Sequence, residues 1–207
     1  MLYKTPAILR SIYPSLTWKV ETNDKVIYLT FDDGPIPEVT PFVLKTLQQY
    51  NAKATFFCIG HNIQKHPEIF QQVYEAGHSI GNHTFHHLKG WKTEDSLYLQ
   101  DTHACREIIS QYLPDTKLLF RPPYGRIKRS QIISLKKEYQ IIMWSTLSQD
   151  YRKDISPKEC LQNTINATQN GSIVLFHDSL KAQQNMSFAL PKFLEHFTEK
   201  GFSFRAL

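Results

Sequence analysis

The sequence predicts an α/β fold in which about seven parallel strands close into a (β/α) barrel. Short runs rich in β-branched and aromatic residues alternate with runs of helical apolar spacing, and this alternation favours parallel strands joined by right-handed crossovers. Polar side chains also follow five of the strands, and in a barrel such carboxyl ends meet on one face. An open doubly wound sheet is the alternative, although no glycine-rich nucleotide-binding loop follows the first strand.

The predicted strands carry the residue types that fit a pleated, buried surface. The first reads "KVIYLTF", and the fourth ends at Pro122 and Pro123, which cannot donate to a strand ladder. The seven strands span residues 25–31, 54–60, 78–84, 117–123, 140–146, 171–178 and 202–207.

The predicted helices occupy most of the intervals between these strands. Gly77 marks the end of the second helix, and Ser156 followed by Pro157 marks the start of the fifth. The helices span residues 37–50, 67–77, 94–113, 130–139, 156–169 and 189–201. We expect a single catalytic domain over residues 1–207, with residues 1–24 packed on the barrel as an amino-terminal extension.

Composition excludes several classes of protein. The net charge of +5 is spread along the chain without a basic run, which argues against nucleic-acid binding. Three widely spaced cysteines predict buried thiols rather than a disulfide framework or a cysteine zinc site. Pro6 and Arg10 interrupt the start of the chain, so it does not resemble a secretory signal, and no run of about 20 apolar residues predicts a membrane span. The sequence therefore predicts a cytoplasmic protein and leaves its oligomeric state open.

Two groups of residues predict a metal centre. In "HTFHH", His83 and His87 are four apart and would lie on one side of a helical turn, where they could bind one metal ion. A third ligand, Asp33, would complete a set that leaves coordination positions open, as metal-assisted hydrolysis requires. Its neighbour Asp32 would then remain free to act as general base. Capping of the following helix would explain one of the aspartates but not the pair.

Four motifs, in this order, resemble the polysaccharide deacetylase family (carbohydrate esterase family 4, the chitooligosaccharide deacetylase homology domain). They are "TFDDGP" (30–35), "HTFHH" (83–87), "RPPYG" (121–125) and "LFH" (175–177). The resemblance extends from about residue 25 to residue 207. It implies a distorted (β/α) barrel of about seven parallel strands and one divalent metal ion, with Zn²⁺ expected and Co²⁺ or Ni²⁺ as substitutes.

The resemblance also implies roles for individual residues. Asp32 matches the family's catalytic base, and Arg121 matches the residue that orients it. The metal ligands would be Asp33, His83 and His87.

A second set of residues matches the substrate side of the family's site. His177 would be the general acid, and Asp150 the carboxylate that holds it. Tyr124 would offer its backbone N–H to the oxyanion, and Leu175 would line the acetyl pocket. Tyr151 stands where the family usually has a tryptophan, and its ring can still stack on a sugar.

The function implied is metal-dependent removal of acetyl groups from N-acetylated sugars of peptidoglycan, chitin or glycoconjugate type. The substrate would be an oligomer, a polymer or a carrier-linked glycan. The same catalytic groups would serve an O-acetyl-xylan-type esterase or a deformylase of a lipid-linked amino sugar. A non-catalytic carbohydrate-binding barrel would need the metal ligands but not Asp32, Arg121 and His177 together.

Overall fold

A computed structural model describes residues 3–114 and 118–207 of the chain. The predicted start of the fourth strand at residue 117 and the first two residues of the predicted extension lie outside the described residues. The strands are β1 (Val26–Asp32), β2 (Thr55–Cys58), β3 (Ser79–Asn82), β4 (Leu119–Phe120), β5 (Gln140–Ile141), β6 (Thr146–Leu147), β7 (Ile173–His177) and β8 (Ser203–Arg205).

Helices connect most of these strands. Short 3₁₀ turns at Gly90–Lys92 and Pro123–Gly125 follow β3 and β4. The helices are α1 (Ala7–Ile12), α2 (Val39–Gln49), α3 (Gly60–Lys65), α4 (Pro67–Glu75), α5 (Asp95–Ser110), α6 (Arg129–Leu135), α7 (Pro157–Ala167) and α8 (Gln183–Glu199).

The strands form one sheet in the order β5-β4-β3-β2-β1-β7-β6, and β8 pairs with the amino-terminal half of β1. Every strand pairing in the described residues is parallel. The sheet curls into a (β/α)-barrel-like half-barrel with flanking helices, so the predicted fold class is confirmed. Parallel strands place their carboxyl ends on one face, which brings the loops after β1, β3, β4, β6 and β7 together.

The predicted strand at 140–146 is divided into β5 and β6. The first pairs with β4 and the second with β7, so this one segment joins the two ends of the sheet. Between them, the carbonyls of Ile142 and Met143 accept hydrogen bonds from the Arg121 side chain, at 3.2 and 2.8 Å. Those two carbonyls therefore face a side chain inside the barrel, and the strand is interrupted there.

Alternation along β1 separates the hydrophobic core from the site. Leu29 and Phe31 are fully buried in the largest apolar cluster, between the sheet and the helices. Thr30 and Asp32 point the other way and both receive hydrogen bonds from Arg121. Burying each large apolar side chain contributes roughly 1.5–3 kcal/mol, so the aromatic cluster around Phe31 stabilises the strand that carries the aspartates.

The segment before β1 runs along the barrel. Leu16 and Trp18 are buried in an apolar cluster with Tyr98 and Phe120. Thr17 donates its N–H to the Ile141 carbonyl at 2.9 Å and accepts from the Met143 N–H at 2.7 Å. These two hydrogen bonds pair backbone groups of Ile141 and Met143, which would otherwise be left unpaired between β5 and β6.

Most predicted helices begin and end within four residues of the observed ones, but α1 and α3 were missed and α8 begins earlier than predicted. The prediction placed Pro191 in the first turn of the last helix, whereas it lies inside α8. Tertiary contacts stabilise the earlier turns. The Asn185 amide donates to the carbonyls of Asp150 and Arg152, and Met186 is fully buried.

Two predictions from composition can be compared with the structure. Cys58, Cys105 and Cys160 are all buried and free, as predicted. No helix in residues 3–114 and 118–207 is long and apolar enough to cross a bilayer.

Candidate active site

The two adjacent aspartates are turned to different partners at the end of β1. Asp32 is the last residue of the strand, whereas Asp33 has φ 86°, in the left-handed region that non-glycine residues seldom adopt. The Asp32 Oδ1 atom accepts a hydrogen bond from Arg121 Nη1 at 2.8 Å, and the Asp33 Oδ1 atom lies 3.3 Å from His87 Nε2. Because successive side chains of an extended strand point to opposite faces, the left-handed turn at Asp33 brings its carboxylate to the same end of the barrel as that of Asp32, where the two have different partners.

A buried carboxyl that the sequence analysis did not single out supports this turn. Asp178 accepts the Gly34 N–H at 3.1 Å and the Thr40 hydroxyl at 2.6 Å. A Cβ atom at Gly34 would lie 2.0 Å from an oxygen of Asp178, so only glycine fits there. Burial raises the pKa of Asp178 to about 8, so this carboxyl adds little negative charge near neutral pH. In the sequence, the feature that could have identified Asp178 is its position directly after His177.

The predicted helical turn between His83 and His87 is wrong. Residues 83–87 form a loop after β3, in which Thr84 and His87 have φ values of 63° and 58°. Each such residue costs on the order of 1–3 kcal/mol and persists only where its surroundings fix it. The two imidazole rings nevertheless converge, with their centroids 5.0 Å apart. Left-handed residues, not helical spacing, bring these histidines together.

Hydrogen bonding prepares His83 to bind a metal ion. Its Nδ1 atom lies 2.7 Å from the carbonyl of Arg121, which can only accept, so Nδ1 carries the proton. The lone pair on Nε2 then points toward Asp32 and Asp33, at 3.7 and 3.8 Å. A partner on the far nitrogen of this kind is typical of metal-binding histidines.

Asp33, His83 and His87 could hold one metal ion. One ligand atom from each residue lies within 4.8 Å of the other two. In a tetrahedral zinc site with bonds of about 2.0–2.1 Å, neighbouring ligand atoms lie about 3.4 Å apart. Burial lowers the pKa of both His83 and His87, which favours the neutral imidazoles that metal binding requires. The donor set and its spacing therefore fit a divalent ion such as zinc.

Arg121 lies inside the barrel and is inaccessible to solvent. Besides Asp32, it donates to Thr30 and to the two carbonyls between β5 and β6, and its guanidinium lies over the Phe57 ring at 4.1 Å. Because all of its nitrogens have partners, the arginine is fixed in place, and it keeps Asp32 oriented and paired with a positive charge.

A second pair of hydrogen-bonded titratable side chains, His177 and Asp150, lies beside the Asp32–Arg121 pair. His177 ends β7 directly beside Asp32 in the strand register. Its Nδ1 atom is 2.7 Å from Asp150 Oδ1, and its backbone N–H donates to Asp150 Oδ2 at 2.8 Å. Burial lowers the pKa of His177, but the charge and hydrogen bond of Asp150, with Asp33 and Asp32 adding to them, raise it to about 9. His177 is therefore protonated at neutral pH.

The predicted substrate-side residues lie around these groups. The Tyr124 ring packs on His87 with centroids 4.5 Å apart, and Tyr124 has φ 59° in the 3₁₀ turn after β4. The Tyr151 ring meets His177 edge-on at 5.1 Å. Leu175 lies two residues before His177 on β7 and is buried beneath it. All ten predicted site residues thus lie at one end of the barrel.

A family model described as polysaccharide deacetylase matches residues 19–141. A peptidoglycan-N-acetylglucosamine deacetylase of Bacillus cereus is 37% identical to the chain over 192 residues, which cover 91% of this chain and 89% of that protein.

Solved structures share the fold. The crystal structure of the Bc1960 peptidoglycan N-acetylglucosamine deacetylase, in complex with 4-naphthalen-1-yl-N-oxidanyl-benzamide, superimposes with a TM-score of 0.89 at 32% identity and covers 98% of this chain and 95% of its own. Wild-type BA3943, a CE4 family pseudoenzyme from Bacillus anthracis, gives a TM-score of 0.82 at 21% identity, with 92% of this chain and 66% of that chain covered. At that identity the second likeness concerns the fold alone.

Proposed function

Because the chain belongs to the polysaccharide deacetylase family, we propose that residues 1–207 form one catalytic domain that uses a divalent metal ion to remove acetyl groups from N-acetylated amino sugars. The observation that carries this proposal is a three-residue ligand set between two separate acid–base pairs. Asp33, His83 and His87 form the ligand set, with Asp32–Arg121 and His177–Asp150 beside it.

The first acid–base pair supplies the base. A divalent ion held by Asp33, His83 and His87 would polarise the acyl group and acidify a water molecule. Asp32 takes the proton of the attacking water, because it is oriented by the Arg121 guanidinium and lies outside the proposed ligand set. The backbone N–H of Tyr124, beside His87, donates to the oxygen on which negative charge develops.

The second pair supplies the acid. An amine leaves only if its nitrogen is protonated as the C–N bond breaks, so a group other than the base must deliver a proton. His177 holds that proton at neutral pH and ends the strand next to the one that Asp32 ends, with Asp150 as its own partner. Leu175, under His177, provides an apolar wall for the acetyl methyl group.

The basic limb of the pH–rate profile tests this assignment. Activity should fall as pH rises through the pKa of His177, which the charge and hydrogen bond of Asp150 raise. Asp150→Asn removes the charge that raises this pKa, while burial continues to lower it, so the limb should move to lower pH. The exposed neighbour Asp154 provides a matched control, since Asp154→Asn should leave the limb in place. An unmoved limb in Asp150→Asn would remove His177 from the role of acid.

The rim of the site favours an acidic glycan. Three cations lie over aromatic rings in the loops that follow β3, β4, β6 and β7: Lys89 over Tyr124 at 4.8 Å, Arg126 over Trp91 at 4.2 Å, and Lys181 over Tyr151 at 5.3 Å. In the described parts of the chain, none of the three cations forms an ion pair with a carboxylate.

Aromatic rings stack on sugars, and unpaired cations attract carboxylates. Peptidoglycan strands carry carboxylates on their peptide substituents, or on the lactyl group where the peptide is absent, whereas the backbones of chitin and xylan are neutral. We therefore propose peptidoglycan-type strands as the substrate.

A double substitution tests the rim. Replacing Lys89 and Arg126 together by alanine should lower the ratio of kcat/KM on peptidoglycan fragments to kcat/KM on neutral N-acetylglucosamine oligomers by about fivefold, the effect of two exposed charge interactions. The effect should shrink at high salt. Replacing Lys136 and Lys137, which are exposed beyond the carboxyl end of α6, provides a charge-matched control. A ratio equal to that of the control would leave the rim without a part in substrate choice.

Release of acetate from a panel of substrates separates the alternatives. The proposal predicts release from peptidoglycan and from N-acetylglucosamine oligomers, and little from acetylated xylan. Preference for acetylated xylan would indicate the O-acetyl esterase, and release of formate would indicate the deformylase. No release from any substrate would support the non-catalytic barrel, which the joint presence of Asp32, Arg121 and His177 disfavours.

The cytoplasmic location predicted from the sequence stays a prediction. Cell fractionation with an antibody to the native protein would check it. The proposed peptidoglycan substrate lies outside the cytoplasm, so recovery with the cell wall would support that substrate and contradict the predicted location. Recovery with the cytoplasmic fraction would confirm the predicted location and argue against assembled peptidoglycan as the substrate.

A further inference from the structure

We propose that Asp101, on α5, is a positioning residue that holds the loop bearing both metal-binding histidines. This inference rests on the proposed function, since it takes His83 and His87 as the metal ligands. The Asp101 carboxylate is 6% exposed and lies outside the ligand set. It acts on the metal centre only through the backbone of the loop.

Both oxygens of Asp101 face the segment between the two histidines. Oδ2 accepts the backbone N–H of Phe85 at 2.9 Å and that of His86 at 3.0 Å. Oδ1 lies 2.6 Å from His86 Nδ1. Hydrogen bonds to an ionised carboxylate are about twice as strong as neutral ones, so one side chain fixes two consecutive peptide groups of the loop.

The N–H groups of Phe85 and His86 lie between two residues whose backbone conformations are strained. Thr84 and His87, on either side of them, have left-handed backbone conformations that their neighbours must maintain. The carbonyls of Thr84 and Phe85 are held from the opposite side, because they accept the N–H groups of Gly60 and His61 at 3.0 and 2.9 Å. The loop therefore lies between α3, which binds its carbonyls, and α5, which binds its N–H groups through Asp101.

His86, the histidine of "HTFHH" outside the proposed ligand set, contacts Asp101 instead. The His86 side chain is 60% exposed and turns to Asp101 rather than to Asp33. We therefore expect the peptide hydrogen bonds, and not the His86 imidazole, to hold the loop.

Without the Asp101 side chain, the N–H group of His86 would lose its acceptor, and that of Phe85 would keep only the backbone carbonyl of residue 101, at 3.2 Å. The loop could then relax toward ordinary backbone angles, and His87 Nε2 would move away from Asp33 Oδ1, from which it is 3.3 Å distant. Loss of an outer partner of this kind typically weakens metal binding about 10- to 100-fold.

Metal affinity, measured by competition with a chromophoric chelator, tests the inference without reference to activity. Asp101→Ala should bind zinc about 10- to 100-fold more weakly than wild type. Asp101→Asn should stay within about threefold, because its amide oxygen can still accept both peptide N–H groups. His86→Ala should also stay within that range. Glu107→Ala, an exposed carboxylate on the same helix, is the matched control and should not change the affinity.

A spectroscopic measurement covers the case in which Asp101→Ala does not fold. In the metal-free wild-type protein, the amide protons of Phe85 and His86 should resonate downfield because they bond to a carboxylate. Both resonances should move upfield in Asp101→Asn, which keeps the hydrogen bonds but removes the charge. Resonances that do not move would overturn the inference.

The zinc affinities also distinguish a failure of this inference from a failure of the proposed function. Equal zinc affinity in wild type and Asp101→Ala would overturn the inference alone. A loss in His86→Ala as large as that in Asp101→Ala would also overturn it, since the imidazole would then hold the loop. A wild-type protein that binds no divalent metal would overturn both.

Discussion

Asp32→Asn is expected to lower turnover by about 10³-fold or more while the metal ion stays bound. The amide is nearly the same size as the carboxylate and can still accept the hydrogen bond from Arg121, which is 2.8 Å long in the wild type. It cannot take a proton from the attacking water. Initial rates of acetate release and elemental analysis of the same preparation would measure the two effects together.

The adjacent aspartate provides the control for this variant. Asp33→Asn makes the same chemical change one residue along, but in the proposed ligand set, so it should lose metal and activity together. The left-handed turn at Asp33 brings both carboxylates near His83, while Arg121 pairs with Asp32 and His87 lies beside Asp33. The opposite pattern, with metal lost from Asp32→Asn and kept in Asp33→Asn, would show that the two roles are exchanged.

His83→Ala and His87→Ala are expected to reduce bound metal from about one ion per chain to near zero. Each variant removes one of only three protein ligands, so the loss of affinity should exceed the roughly 100-fold reached by removing an outer partner. Activity should fall with it, and high concentrations of added zinc should restore little.

The neighbouring His86 is a suitable comparison for these variants, since its side chain is largely exposed and lies outside the ligand set. Inductively coupled plasma mass spectrometry on dialysed protein would measure the number of metal ions bound per chain. Full metal retention in both His83→Ala and His87→Ala would refute the ligand assignment.

The fold was largely predictable because alternation of strand and helix is a local signal. It does not depend on which segments meet. The division of the strand at 140–146 depends on Arg121, which draws two carbonyls of that strand inward from a distant loop. The early start of α8 likewise depends on hydrogen bonds from Asn185 to the segment after β6. Contacts between distant parts of the chain decided both features, and periodicity does not report them.

The candidate site was also predictable only in part. Its residue types and their order along the chain were readable, and the structure gathers those residues at one end of the barrel. The conformation of the histidine loop was not readable, because a spacing of four suggests a helical turn and not a loop with left-handed residues at Thr84 and His87. Asp101 and Asp178 were not singled out either. Their importance lies in which backbone N–H groups they accept, and only the folded chain shows this.

The most direct test of the account is a comparison of acetate and free amine released from N-acetylated peptidoglycan before and after metal removal. We predict that the protein as purified releases the two products in equal amounts. A chelator should stop the reaction, and one equivalent of Zn²⁺ per chain should restore it. Equal rates in metal-loaded and metal-free protein, or acetate without a matching amine, would contradict metal-dependent N-deacetylation.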